Sequence, residues 1–356
     1  EIRNCDWSSD VCSSDLGVPY LLASSAPTPV PVLTLRIFRA LELAPVAGRP
    51  LAEALSVALL TVGVAVPAGF RLLQGRRAYT TARLARPRPA PPAGRLGGIV
   101  VVWLAVAVGL PLTTIALTSV AASFGHFDGF TLDHWLTVVG AERNRAALAR
   151  SALLAAGAAT AAMSVGALLG SAVERTPSRG IRAMVSLARA PYAVPGSVLA
   201  LGFILAFSQE VRLIFADRAT LVLALANTPW ILGIAYAAKS MAIPLDGVRA
   251  AVRTVDTSLE EAARVSGASW LRTQLAIALP LLRPALVAGW VLVFAASFCE
   301  ISMSVLLRGP ATEVLGTRLF ELLSYGSPQE ASVLAMVVVA AVLVGGPVLS
   351  GRSKWA

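Results

Sequence analysis

The chain has 356 residues, 56% of them hydrophobic and only 14% charged, and a formal net charge of +10. Soluble domains carry roughly 25% charged residues, so this deficit, with a mean hydropathy of +0.72, excludes an ordinary water-soluble globule. The basic residues fall in short clusters between apolar runs, with no basic stripe interleaved with aromatics, which argues against nucleic acid as a partner and fits the edges of membrane spans.

Cys5 to Leu16, CDWSSDVCSSDL, is a low-complexity Ser/Asp segment that resembles a translated sequencing adapter, so residues 1–16 are set aside from fold reasoning. The natural sequence is expected to begin near Gly17, with its true N-terminus missing. Thr34–Ala47 is too short and interrupted to span a bilayer and reads as an external amphipathic stretch. Seven apolar segments follow, at about Leu51–Leu73, Gly98–Ala121, Ala147–Val173, Ile181–Phe207, Ala219–Ala238, Pro284–Leu307 and Ala331–Leu349. Several approach the ~20 residues that a helix needs to cross the hydrocarbon core. They predict an all-α, polytopic integral membrane protein with about seven transmembrane helices.

Charge sets the orientation. Arg71, Arg76, Arg77, Arg83, Arg86, Arg88 and Arg95 lie between the first two spans with no acidic residue among them, alongside the Pro-rich tract Pro87–Pro92. The positive-inside rule places this linker in the cytoplasm. Alternation then puts Phe124–Arg145, Gln209–Arg218 and Arg308–Glu330 outside. It puts Glu174–Gly180, Lys239–Arg283 and the C-terminus, with Arg352 and Lys354, inside. The linker 74–97 divides the chain into 17–73, read as the end of a truncated first unit, and 98–356, a six-helix unit with an inside loop at 239–283.

That loop carries most of the functional signal. Ser258 followed by Glu261 has capping-box spacing for a helix start. Leu259, Ala262 and Ala263 would share one face, and Gly267 is a natural stop because glycine tolerates a left-handed position. Ser269 can cap a second helix through Trp270, Leu271 and Leu275, with Pro280 and Pro284 marking entry to the next span. Two short helices joined at a glycine are expected, either docking into a partner's groove or lying on lipid as an interfacial helix.

The full string decides between these. Glu261-Ala-Ala, then Gly267, then Ile277-Ala-Leu-Pro280 resembles the "EAA" loop of binding-protein-dependent ABC transporter permeases. Ser258–Gly289, Gly309-Pro310, Leu319–Gly326 and the order of the six later spans resemble the second half of double-length permeases of the ferric-iron type. Gly17-Val-Pro-Tyr-Leu-Leu and Thr34-Leu-Arg-Ile resemble the end of the first half. The resemblance implies a MetI-like six-helix unit in a bacterial inner membrane. Its loop residues Glu260, Glu261, Ala262, Ala263, Gly267, Ile277, Leu279 and Pro280 would contact a cytoplasmic ATPase dimer. A periplasmic binding protein would deliver the substrate, expected to be ferric iron, with thiamine, aminoethylphosphonate or a polyamine as alternatives.

No phosphate-binding loop G-x-x-x-x-G-K-[ST] occurs, so the chain is expected to bind no cofactor and to leave ATP and Mg to the partner. It is read as a transport subunit rather than an enzyme. Glu300, expected inside the sixth span, is assigned to the substrate pathway or to helix packing near the external end. Asn227, with Thr228 and Pro229, is expected to interrupt the fifth span as a kink, and like Glu300 is assigned to the pathway or to packing. Gly166-Ala-Leu-Leu-Gly170 permits close helix packing, and Pro191 and Pro195 are expected to bend the fourth span. His126 and His134, near Asp128 and Asp133, read as solvated side chains rather than metal ligands. An ion-driven secondary transporter would need paired intramembrane carboxylates, and Glu300 stands nearly alone. A membrane anchor without transport would leave the loop unexplained.

Overall fold

A helix satisfies its own backbone, and long apolar runs without charge have no reason to stop. A computed structural model of the chain describes residues 32–43, 47–74, 95–123, 126–176, 178–207, 211–215, 219–223, 225, 227–309 and 312–349. The readings of residues 1–31 and of the linker over 75–94 lie outside the described residues. Helix α1 (Leu33–Leu43) is followed by α2 (Arg49–Gln74), and then by α3 (Arg95–Leu104) and α4 (Leu110–Val120), joined through a π-turn at Ala105–Gly109. A short hairpin, β1 (Ala121–Ser123) with β2 (His126–Phe130), leads to α5 (Asp133–Gly140) and the 34-residue α6 (Glu142–Arg175).

Next come α7 (Arg179–Ala193), α8 (Gly196–Phe207), the hairpin β3 (Val211–Phe215) with β4 (Ala219–Leu223), α9 (Pro229–Ser240) and α10 (Ala242–Thr254). The chain finishes with α11 (Thr257–Val265), α12 (Trp270–Thr273), a π-turn at Gln274–Ala278, α13 (Leu279–Phe298), α14 (Ser302–Leu307), α15 (Leu315–Tyr325) and α16 (Pro328–Leu349). Four helical stretches are long and apolar enough to cross a membrane: Arg49–Val66, Gly97–Val120, Glu142–Arg175 and Gln274–Phe298. Two bent pairs, α7–α8 at 112° and α9–α10 at 41°, qualify as well if each is one span, and Pro328–Ala341 is a shorter apolar helix. Each of the seven expected segments thus has a helical counterpart, with three corrections to their course.

The fourth segment is not one rod. Val194, ahead of Pro195, is extended at φ −88° and ψ 129°, because a residue before proline avoids the helical region, and the chain turns there by 112°. The fifth segment is displaced toward the C-terminus. Ala219–Leu223 forms a strand, which a short apolar run with β-branched Thr220 and Val222 can adopt as readily as a helix. The helix begins at Pro229, where a missing N–H is harmless, and runs through a bend into α10, so the expected inside loop, up to Thr254, belongs to this bent candidate span.

The sixth segment also starts earlier than Pro284. Leu279 N–H bonds Gln274 O, five residues back, and this wide turn takes Pro280 into a continuous helix despite its lack of an N–H. The segment ends at Phe298, leaving Glu300 outside α13 in the break before α14.

The amphipathic reading of Thr34–Ala47 corresponds to α1. Its Leu35 and Phe38 pack with Val305 and Phe320, and Ile37 packs with Ala52 and Leu201.

Helix α6 is the hub. Ala155, Ala159 and Ala162 are fully buried, and Ala159 and Ala162 meet Val293 of α13. Glu142 in its first turn and Arg175 in its last complement the helix dipole. Gly166 and Gly170 seat α10 against it. A Cβ at Gly166 would lie 2.9 Å from Leu245 N, and one at Gly170 would lie 3.0 Å from Leu245 O, both backbone atoms that cannot swing aside. Gly166→Leu or Gly170→Leu is expected to destabilise the chain by about 1–3 kcal/mol, the usual range for overpacking. A thermal melt of the detergent-solubilised protein would record this as a lowered Tm. Gly157→Leu, where a Cβ would meet nothing within 4 Å among the described residues, should leave the Tm unchanged or raised.

Candidate functional site

The loop between α10 and α13 is built by its caps. Asp256, extended at φ −67° and ψ 130°, accepts a 3.0 Å hydrogen bond from Ser258 N and is the N-cap of α11. The backbone N–H and hydroxyl of Ser258 hold the Asp256 carboxyl below the usual carboxylate range. The expected cap at Ser258 with Glu261 is therefore corrected by two residues, since the Asp256 carboxylate takes up a first-turn donor, the N–H of Ser258 itself. At the other end Gly267 has φ +82°, its N–H bonds Arg264 O at 2.9 Å, and Ala268 N–H bonds Ala263 O at 3.0 Å. This paired closure is a Schellman motif, and the left-handed position is why glycine stands there. The expected second helix is not separate, because α12 continues through the π-turn into α13.

The eight loop residues singled out in the sequence separate by burial. No residue of α11 is buried, and Glu261, Ala262, Leu259 and Val265 are exposed, Val265 at 90%. Ala263 is half-buried. Glu260 points the other way: its Oε1 lies 2.7 Å from Arg175 Nη2, at the last turn of α6. Ile277 is half-buried and Leu279 and Pro280 are exposed, all three on the membrane helix beyond the loop.

Sequence reasoning missed the charged collar under this helix. Glu174, beside Arg175, receives Arg249 Nε and Arg253 Nε, each at 2.9 Å. Arg189 of α7 meets Asp246 of α10 at 3.0 Å, and Arg249 lies 3.7 Å from the same carboxylate. The ends of α6, α7, α10 and α11 are thereby tied in one network, around a polar cleft of about 480 Å³ lined by Glu174, Arg175, Arg253 and Asp256 among others. Arg249 and Arg253 at i,i+4 spacing were the available signal, since they mark one helix face.

The second candidate, Glu300, is not alone. Its Oε2 lies 2.6 Å from Nζ of Lys239, which the sequence had assigned to the inside loop but which occupies the last turn of α9. Glu300 Oε1 accepts from Met303 N at 3.2 Å. Asn227 is brought neither to Glu300 nor into a span. It is exposed at φ +60° in the turn ahead of α9, packed so that a Cβ at Gly309 would lie 2.9 Å from its Cα. Among the described residues no group of three His, Cys, Asp or Glu side chains gathers in metal-binding fashion.

Apolar helices that qualify as spans, unbroken or bent, with a capped and exposed amphipathic helix between two of them, define a multi-pass membrane protein. Comparison with known proteins gives the class its family. Residues 148–351, more than half of the chain, match the model of the binding-protein-dependent transport system inner membrane component, and the chain belongs to that family of ABC importer permeases. The putrescine transport system permease protein PotI of Escherichia coli strain K12 is 29% identical over 203 residues, covering 56% of this chain and 69% of that protein. The spermidine/putrescine transport system permease protein PotC of the same strain is 25% identical over 249 residues, covering 69% of this chain and 89% of that protein. A chain from the crystal structure of a bacterial ABC transporter involved in the import of the acidic polysaccharide alginate superposes with a TM-score of 0.57 at 18% identity. The match covers 73% of this chain and 96% of that one, a likeness of fold.

Glu260→Gln is expected to release α11 from α6 and speed amide exchange over residues 257–265 about fivefold, equivalent to the roughly 1 kcal/mol of a partly exposed ion pair. Glu261→Gln should leave that exchange unchanged, as hydrogen–deuterium exchange of the purified chain would show.

Proposed function

We propose that this chain is the translocating subunit of a polyamine-type importer in a bacterial inner membrane. In this reading α11 docks on a cytoplasmic ATPase dimer, a periplasmic binding protein delivers the substrate, and the C-terminus lies in the cytoplasm. ATP and Mg are used by the partner, and this chain carries out no bond chemistry of its own. The observation that supports docking most directly is the division of α11. Glu260 anchors the helix to α6, while Glu261, Ala262 and Val265 are exposed on a small, capped helix with a fixed stop. A short amphipathic helix of this kind fits a groove in a partner, and small alanine side chains permit close approach. Movement of that partner would be passed through Arg175 and Glu174 to α6 and α10 together, since both helices end in the same charged collar.

The substrate class rests on the relatives. PotI and PotC are named for putrescine and for spermidine with putrescine, which favours the polyamine alternative. The ferric-iron expectation finds no support in them.

Docking is tested by co-purification with the ATPase subunit and by uptake into proteoliposomes. Gly267→Asp and Ala262→Asp are each expected to weaken docking by about 2 kcal/mol, roughly thirtyfold, with the amount of chain in the membrane unchanged. Undiminished retention of the ATPase subunit would sink the docking reading. For the substrate, ATP-driven uptake of labelled putrescine, competed by spermidine and indifferent to ferric iron, is the expected result. The opposite pattern would return the reading to iron.

A further inference from the structure

Three interruptions of the membrane helices meet at one ion pair. Lys239 lies in the last turn of α9, just ahead of the 41° turn into α10. Glu300 stands in the break between α13 and α14. Gly196 opens α8, directly after the 112° bend from α7. Lys239 Nζ and Glu300 Oε2 are 2.6 Å apart, and a Cβ on Gly196 would lie 2.9 Å from that Nζ and 3.4 Å from Glu300 Oε1. The two side chains are only 20% and 10% exposed.

The surroundings hold the carboxylate rather than leave it free. Its second oxygen accepts from Met303 N, and the Ser304 hydroxyl donates to the Glu300 carbonyl. Ser304 Oγ is in turn 2.6 Å from the buried Tyr236 hydroxyl of α9. Gly316 of α15 closes on the same backbone, where a Cβ would meet Ile301 Cα at 3.1 Å. Beside Gly196, Ser197 is fully buried and its Oγ has no hydrogen-bond partner among the described residues, a polar group in the turn against which the pair rests.

Bends and breaks are where packed helices can change angle without dismantling a hydrogen-bond ladder, and they serve as hinges in domain motion. An ion pair in an apolar setting is all-or-none, because separating the charges leaves each uncompensated. A pair seated on three breaks therefore fixes three angles at once. We propose that Lys239–Glu300 is an intramembrane latch that holds the α7–α8, α9–α10 and α13–α14 junctions in the present conformation and opens in the other state of the transport cycle. Both are positioning residues, and neither is assigned contact with substrate. The latch rests on the ATP-coupled reading above and is independent of the substrate's identity.

The test uses the native thiol of Cys299, which is exposed and adjacent to Glu300, as reporter, with Cys5→Ser and Cys12→Ser removing the other two cysteines of the chain. The chain is reconstituted with its ATPase subunit, and N-ethylmaleimide labelling is timed in the nucleotide-free and ATP-trapped complexes. A change in labelling rate of about threefold or more between them is expected, the signature of a shifted population. Lys239→Met with Glu300→Gln should abolish that change and reduce substrate moved per ATP, and the swapped pair Lys239→Glu with Glu300→Lys should restore both. If the neutral pair keeps the wild-type response, or the parent chain labels equally in both complexes while ATP-driven uptake proceeds, the latch is overturned. The parent comparison decides the matter even if the neutral pair does not fold. Absence of ATP-driven uptake in the parent would overturn the docking reading, and with it a latch coupled to ATP.

Discussion

The bilayer supplies no water to hydrogen-bond the backbone, and every other feature of this chain follows from that constraint. Where sequence permits, the answer is an unbroken helix, as in α6 and in α13. Where it does not, each break is repaired locally. Val194 N–H returns to Pro191 O at the sharpest bend, Leu279 N–H reaches Gln274 O through a π-turn, and Glu300 Oε1 takes up Met303 N–H beyond α13. The charged residues near the bends are part of this repair as well as potential moving parts.

Much of the architecture was legible because helix formation answers to local pattern. Apolar runs found helix within each of the seven segments but not the bounds of the fourth, fifth and sixth, and the string from Glu261 to Pro280 located the loop and its glycine stop. The Gly166–Gly170 spacing identified the close seat of α10 without naming α10. Proline was a poorer guide. Pro195 lies at a 112° turn, whereas Pro191 is held inside α7, and Pro280 and Pro284 are carried inside one long helix, Pro280 directly after the π-turn and Pro284 in the helix interior. Ala219–Leu223 was misread for a related reason: five apolar residues hold too little periodicity to separate strand from helix.

The candidate sites were half visible. Glu261 and Ala262 are exposed on a capped helix, as the pattern implied, but Glu260 proved to be the residue that anchors the loop from beneath. Lys239 and Glu300 stand 61 residues apart, on segments that charge-counting assigned to different surroundings. No window of sequence contains that pairing, since it exists only once α9 and α13 are packed. The same holds for Glu174 with Arg249 and Arg253, a contact across more than seventy residues.

The charged collar also makes α11 poorly portable. A designer wishing to exchange partners would be tempted to transplant residues 256–268 as a cassette between related permeases. Arg175, left facing a foreign residue at position 260, would then sit part-buried without its counter-ion, 25% exposed and next to a glutamate already holding two arginines. The unit of exchange is accordingly the loop together with the end of α6 and the outer turns of α10.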